Sequence, residues 1–231
     1  MIEFPYIAEF IPTLLSYLPI TLVIFLSSIL LGLLLGLIIA VTKLYNIPIL
    51  KELATVYISF IRGTPILIQL FLIYYGLPVV VGLFGIDISR MEAMIFVVIT
   101  YTLNNAGQFA EIFWAAVRSI DYGQTEAAYS IGMSSRQTFF RIVLPQAFRI
   151  ALPNIGSASV SSLKDTSLAF SIGVMDMMGR GETLIAATMR TFEVYIGLAI
   201  IYYLIVLLLE ALFRRIEKYY SRHIHGPVSE G

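Results

Sequence analysis

Residues 14–42 contain no Asp, Glu, Lys or Arg. A hydrocarbon core of ~30 Å takes ~20 helical residues to cross, so this stretch is read as a membrane-spanning helix. Four more apolar regions follow. Residues 53–86 are interrupted only by Arg62, 93–117 hold Glu111, 150–175 hold Lys164 and Asp165 at their centre, and 194–213 hold Glu210 near their end. The expectation is an all-α integral membrane protein with five transmembrane helices. The second is irregular, because Gly63, Pro65, Gly76 and Pro78 interrupt it. Composition agrees: 58% of residues are hydrophobic and 13% charged, with a mean hydropathy of +0.87. A soluble domain carries about 25% charged residues, and the deficit here fits an outer surface that faces lipid. No linker or long repeat divides the chain, so residues 1–231 read as one transmembrane domain.

Basic residues orient the bundle, because they favour the cytoplasmic side. Lys43 and Lys51 follow the first span, Arg118, Arg136, Arg141 and Arg149 the third, and Arg214, Arg215, Lys218 and Arg222 the fifth. The loops at 77–92 and 176–193 are poorer in basic residues and carry Asp87, Asp176 and Glu182. The N-terminus is therefore expected outside, with the 118–149 loop and the tail at 217–231 in the cytoplasm. The first apolar run is too long for a signal-peptide core and has no basic residue ahead of it.

Several function classes fall away. Lys plus Arg equals Asp plus Glu, at 15 each, so charge gives no sign of a nucleic-acid partner. With no Cys, no His in a span and no evident acid pair, the chain lacks the parts of a hydrolase. His223 and His225 lie in the polar tail, and no metal site is expected there or elsewhere. No G-x-x-x-x-G-K-[ST] occurs, so any ATP must be hydrolysed on another polypeptide.

The cytoplasmic loop is built to fold. Residues 126–145 read EAAYSIGMSSRQTFFRIVLP. Asp121-x-x-Gln124 and Ser134-x-x-Gln137 have capping-box spacing, and Gly132 between them suits a left-handed helix stop. The segment predicts a helix, a glycine turn and a second helix ending near Pro145. That second helix carries enough apolar residues to need a packing partner. Glu126, Ala127 and Ala128, then Gly132, then Ile142, Leu144 and Pro145 resemble the EAA motif of permeases in binding-protein-dependent ABC importers. Arg62-Gly63-Thr64-Pro65 with residues 67–71, Ala110-Glu111-Ile112-Phe113, and residues 162–168 (SLKDTSL) are similar to the polar amino-acid branch of that family. Trp114 departs from the arginine usual there, and Asp121-Tyr122 from a common Pro-Lys pair.

The resemblance implies a permease subunit in a prokaryotic inner membrane, importing polar amino acids, with basic ones among the candidate cargoes, and not itself an enzyme. It implies two cytoplasmic ATPase subunits bound at the EAA loop, a second permease subunit, identical or related, and an external solute-binding protein. ATP belongs to the partner, and this chain holds no cofactor. Polar stripes mark a candidate pathway, because ionisable groups within a membrane are costly. The candidates are Tyr101, Asn105, Gln108 and Glu111 on the third span, Ser161, Lys164 and Asp165 on the fourth, and Thr64 at the second. Asp165 and Glu111 would meet cationic groups of a substrate. Lys164, or amides near Gly63 and Thr64, would meet its carboxylate. Two other readings stand beside this one: Lys164 and Asp165 as helix-pairing groups, or as the ion relay of a gradient-driven transporter or channel. Arg62 reads as an interfacial residue. Ser28, Gly32, Gly36 and Ala40 recur every four residues, a spacing that permits close helix packing within one subunit.

Overall fold

The computed structural model describes residues 4–222, all helix and connection with no strand among them. The tail histidines His223 and His225 lie outside the described residues. In chain order the elements are α1 (Phe4–Leu15), α2 (Leu18–Leu44), α3 (Leu50–Gly63), α4 (Ile66–Phe71), α5 (Leu77–Gly82) and α6 (Ala93–Arg118). They continue with α7 (Tyr122–Ser130), α8 (Ser135–Thr138), α9 (Leu144–Asp165), α10 (Met177–Thr188) and α11 (Thr191–Arg222). Among the described residues, α2 and α11 are each long and apolar enough to cross a membrane. The helices α6 and α9, although long, carry Asn104, Asn105 and Gln108, and Asn154, Ser157 and Ser161, which lower their apolarity.

The second apolar region is not one helix. The chain turns by 115° between Leu50–Gly63 and Ile66–Gly82, at the Gly63, Thr64 and Pro65 break that the sequence marks as irregular. Pro65 has no amide hydrogen to continue α3, and Thr64, before it, is extended at φ −121° and ψ 140°. Both halves lie on α6. The Tyr57 hydroxyl donates to the Leu103 carbonyl, and Ile61 packs so tightly on Gly107 that a Cβ there would stand 2.6 Å from its Cγ2. Beyond the turn, Tyr74 sets its ring edge-on to Phe96, 5.4 Å between centroids. Thus α3 crosses the C-terminal half of α6, and α4 with the π turn after it follows the N-terminal half.

Two π turns explain how the chain passes prolines without breaking. One spans Leu72–Gly76 ahead of Pro78. The other spans Phe139–Val143 ahead of Pro145. A proline lacks an amide hydrogen and crowds the carbonyl four residues back. In both cases that carbonyl lies within the widened π turn, whose hydrogen bonds reach one residue further. The second helix of the loop therefore does not end near Pro145, as sequence expects, but continues into α9. Residues 135–165 are continuously helical, ~46 Å of rise at 1.5 Å per residue, with the π turn and Pro153 within them.

The fourth apolar region also differs from expectation. Its α-helix stops at Asp165, and a 3-10 segment continues from Thr166–Ile172. Lys164 and Asp165 therefore sit at a helix end rather than mid-helix. The small residues of α2 pack within the chain: Ser28, Gly32, Gly36 and Ala40 are all buried. A Cβ on Gly36 would stand 2.9 Å from the Ala106 carbonyl oxygen of α6. Exposed Val23, Leu26, Leu30, Leu34, Leu37 and Ile38 cover the rest of α2.

Candidate functional site

The interior polar residues form a network around α6. Asn105, 3% exposed, donates through Nδ2 to Ser162 Oγ at 3.0 Å and Ser28 Oγ at 3.3 Å, tying α9 and α2 to α6. Tyr101 is fully buried, and its hydroxyl donates to the Asp165 carbonyl at 2.6 Å. One turn on, Asn104 Nδ2 donates to Gln69 Oε1 at 3.0 Å. Gln69 Nε2 in turn donates to the carbonyls of Ile61 and Thr64, at 2.9 and 3.0 Å, and to Thr64 Oγ1 at 3.1 Å. The 115° break is thus held by one buried amide that satisfies carbonyls left open where α3 ends.

Glu111 sits in an ionic cluster below this network. Its carboxylate accepts from Lys43 Nζ at 3.0 Å and lies 3.4 Å from Arg62 Nη1. Lys43 is only 10% exposed, Glu111 25% and Arg62 52%. Lys43 Nζ also stands 4.2 Å from the Trp114 ring centroid, with the Arg118 guanidinium 5.5 Å from the same ring. Trp114, the residue that departs from the family pattern, supplies a π face to the cations that crowd this acid.

The candidates are therefore separated rather than gathered. Tyr101, Asn105 and Thr64 are engaged in the network, Glu111 is in the ionic cluster, and Gln108 is half-buried on α6. Ser161 and Lys164, both exposed, line a groove of about 310 Å³ against α11, together with Glu210, Arg214 and Glu217. Asp165 is half-buried, and its backbone, not its carboxylate, meets Tyr101. Sequence reading missed Lys43, Gln69 and Ser162 as members, while Asn104 shares the polar face that the third span's spacing predicts. Trp114 beside Glu111 was the available signal for Lys43.

The elbow folds as the motif predicts, with one change. Asp121 caps α7 by accepting from the Gly123 amide at 2.7 Å, while the second capping box is complete. The Ser134 amide donates to Gln137 Oε1 at 2.9 Å, and the Gln137 amide to Ser134 Oγ at 3.4 Å. Gly132 takes φ +83°, a left-handed turn that glycine adopts at no steric cost. Glu126 and Ala127 are exposed, Ala128 is buried, and Ile142 is half-buried in the π turn. Leu144 and Pro145 open α9.

Known proteins share this architecture. Over 212 residues the chain is 58% identical to the L-cystine transport system permease protein TcyL of Bacillus subtilis (strain 168), covering 92% of this chain and 89% of the relative. It is 35% identical over 187 residues to the glutamine transport system permease protein GlnP of Escherichia coli (strain K12), covering 81% and 83%. A crystal structure of an amino acid ABC transporter with histidines superposes with a TM-score of 0.84 at 33% identity, covering 95% of this chain and 99% of that one. Residues 32–222 match the family described as binding-protein-dependent transport system inner membrane component. The chain belongs to that family, as an ABC-transporter permease of the amino-acid type, and is a transport component rather than an enzyme.

Proposed function

We propose that this permease imports a polar amino acid of the cystine or glutamine class, driven by a separate ATPase that grips the elbow at 126–145. The observation that carries the reading is the continuous helix of residues 135–165. It joins the capped elbow at one end to Ser161, Lys164 and Asp165 at the other. A displacement of α7 and α8 by a partner would be passed along that helix to the polar stripe. Exposed Glu126 and Ala127 beside buried Ala128 give a partner one charged, low-profile helix face to hold. ATP binding, on the partner, biases the bundle only through its different affinity for two states of the permease.

The five spans of this reading are α2, the α3–α5 pair, α6, α9 with its 3-10 extension, and α11. The basic residues put the elbow in the cytoplasm and the N-terminus outside. Asn154, Ser157, Ser161 and Lys164 are all exposed along one face of α9. Lipid does not suit such a face, so a second permease and a shared aqueous path cover it, with an external binding protein delivering cargo. The relatives' names, cystine and glutamine, favour a polar cargo. A basic cargo loses its main support, because Lys43 and Arg62 already occupy Glu111.

The test is uptake of labelled cystine and glutamine into vesicles bearing the permease, its ATPase and its binding protein. Glu126→Arg, on an exposed position, is expected to abolish ATP-driven uptake while the permease still folds. Asp165→Asn is expected to lower uptake with assembly intact. Uptake unchanged by Glu126→Arg, or supported by an ion gradient without ATP, refutes the coupling.

A further inference from the structure

A cavity of about 1070 Å³ lies between the elbow and the ends of the spans. It opens where the inner ends of α2 and α6 meet α7 and the π turn after α8. Leu44, Val117, Ile120, Phe139 and Val143 give it an apolar wall. Arg118 and Arg136 line it too, and no Asp or Glu does. Neither arginine belongs to an ion pair among the described residues. Thr138, 1% exposed, adds a hydroxyl that has no hydrogen-bond partner. An apolar trough with two exposed guanidinium groups on its wall, that of Arg118 also near the Trp114 ring, is complementary to an anion with a hydrocarbon body. Guanidinium groups match phosphate oxygens in paired hydrogen bonds.

We infer that this cavity is a binding site for an anionic phospholipid, its phosphate held by Arg118 and Arg136 and an acyl chain laid against the apolar wall. The position favours lipid over a soluble anion. The trough begins at Leu44, the last residue of α2, directly below the exposed Leu34, Leu37, Ile38 and Val41 that face the acyl chains. A lipid leaving that surface enters the cavity at headgroup level, where basic side chains and anionic headgroups attract each other. This rests on the reading of α2 and α6 as spans with their ends in the cytoplasm. A bound lipid would fill the space between the elbow and the bundle, so that motion of α7 is transmitted rather than absorbed.

The experiment uses the purified permease–ATPase complex in nanodiscs of phosphatidylcholine with or without phosphatidylglycerol. Native mass spectrometry then counts the phospholipid retained after detergent washing. The wild type is expected to keep one phosphatidylglycerol per permease. The R118Q/R136Q double variant is expected to keep at least about tenfold less, the loss of ~1.4 kcal/mol of binding. R118K/R136K should recover part of it, and R141Q, a basic change outside the cavity, should change nothing. A second measurement needs no arginine variant: brominated phosphatidylglycerol should quench Trp114, read as the difference from W114F, more than brominated phosphatidylcholine does. Equal retention by R118Q/R136Q, equal loss in R141Q, or equal quenching by both lipids overturns the site. Protection from thermal unfolding by inorganic phosphate alone assigns the site to a free anion and overturns the lipid. Uptake is assayed separately, so lost transport with lipid retained counts against the coupling and not against this site.

Discussion

Removing the Glu111 carboxylate would leave Lys43 charged and without its partner. Lys43 is 10% exposed and Glu111 25%, at 3.0 Å, between a solvated pair worth ~0–1 kcal/mol and a buried one whose breakage costs ~3–5 kcal/mol. Arg62, 52% exposed at 3.4 Å, reaches water and adds little. Glu111→Gln should therefore destabilise the permease by ~2 kcal/mol, which lowers Tm by ~4–8 °C for a chain of this size. Most of that cost is an orphaned ammonium group rather than a lost attraction. A double variant that removes both charges, Lys43→Met with Glu111→Leu, should then recover more than half of it. The assay is thermal unfolding of the detergent-solubilised permease followed by tryptophan emission. Trp114 is the chain's single tryptophan and carries Lys43 over its ring at 4.2 Å, so the signal arises at the perturbed cluster. If the double variant is as unstable as the sum of the two single ones, the orphaned-charge argument is wrong.

Gly36→Ala would place a Cβ 2.9 Å from both the Ala106 carbonyl oxygen and Phe109 Cβ. It should cost ~1–3 kcal/mol by thermal unfolding, whereas Gly63→Ala, with nothing within 4 Å, should stay within ~0.5 kcal/mol. A similar loss at both positions would deny that the α2–α6 approach is limiting. Asn105→Leu strips the hydrogen bonds to Ser28 and Ser162 and should lower stability by ~1–3 kcal/mol. The Ser162→Ala/Asn105→Leu double variant should be more stable than Asn105→Leu alone, because Ser162 is the buried hydroxyl left without a partner, while Ser28 keeps its bond to the Phe25 carbonyl.

The elbow was legible because its signals are local. The capping box at Ser134 and Gln137 and the left-handed glycine at Gly132 need only neighbours within four residues. The Pro145 stop was misread for a related reason: proline usually ends a helix, but a π turn just before it leaves room for its ring. Lys164 and Asp165 were placed mid-helix from the length of an apolar run, which does not distinguish an α-helix from the 3-10 segment of Thr166–Ile172. The separation of the polar candidates was hidden for another reason. Periodicity assigns Asn105, Gln108 and Glu111 to a stripe, but only the packing of α2, α3 and α9 decides which member meets which helix.

Sequence alone settled that this chain is helical and at home in lipid, because hydrophobicity, missing charge and helix caps act over a few residues. Tertiary structure decided the partners of Glu111, drawn from 68 positions back along the chain at Lys43 and from Arg62, just ahead of the 115° bend. It also decided that Ser162 faces inward to Asn105 while Ser161, beside it, opens onto α11. A hydrophobic pattern fixes how many residues must be covered. Which helix covers them depends on crossing angles and close glycine contacts, which exist only once the helices have met.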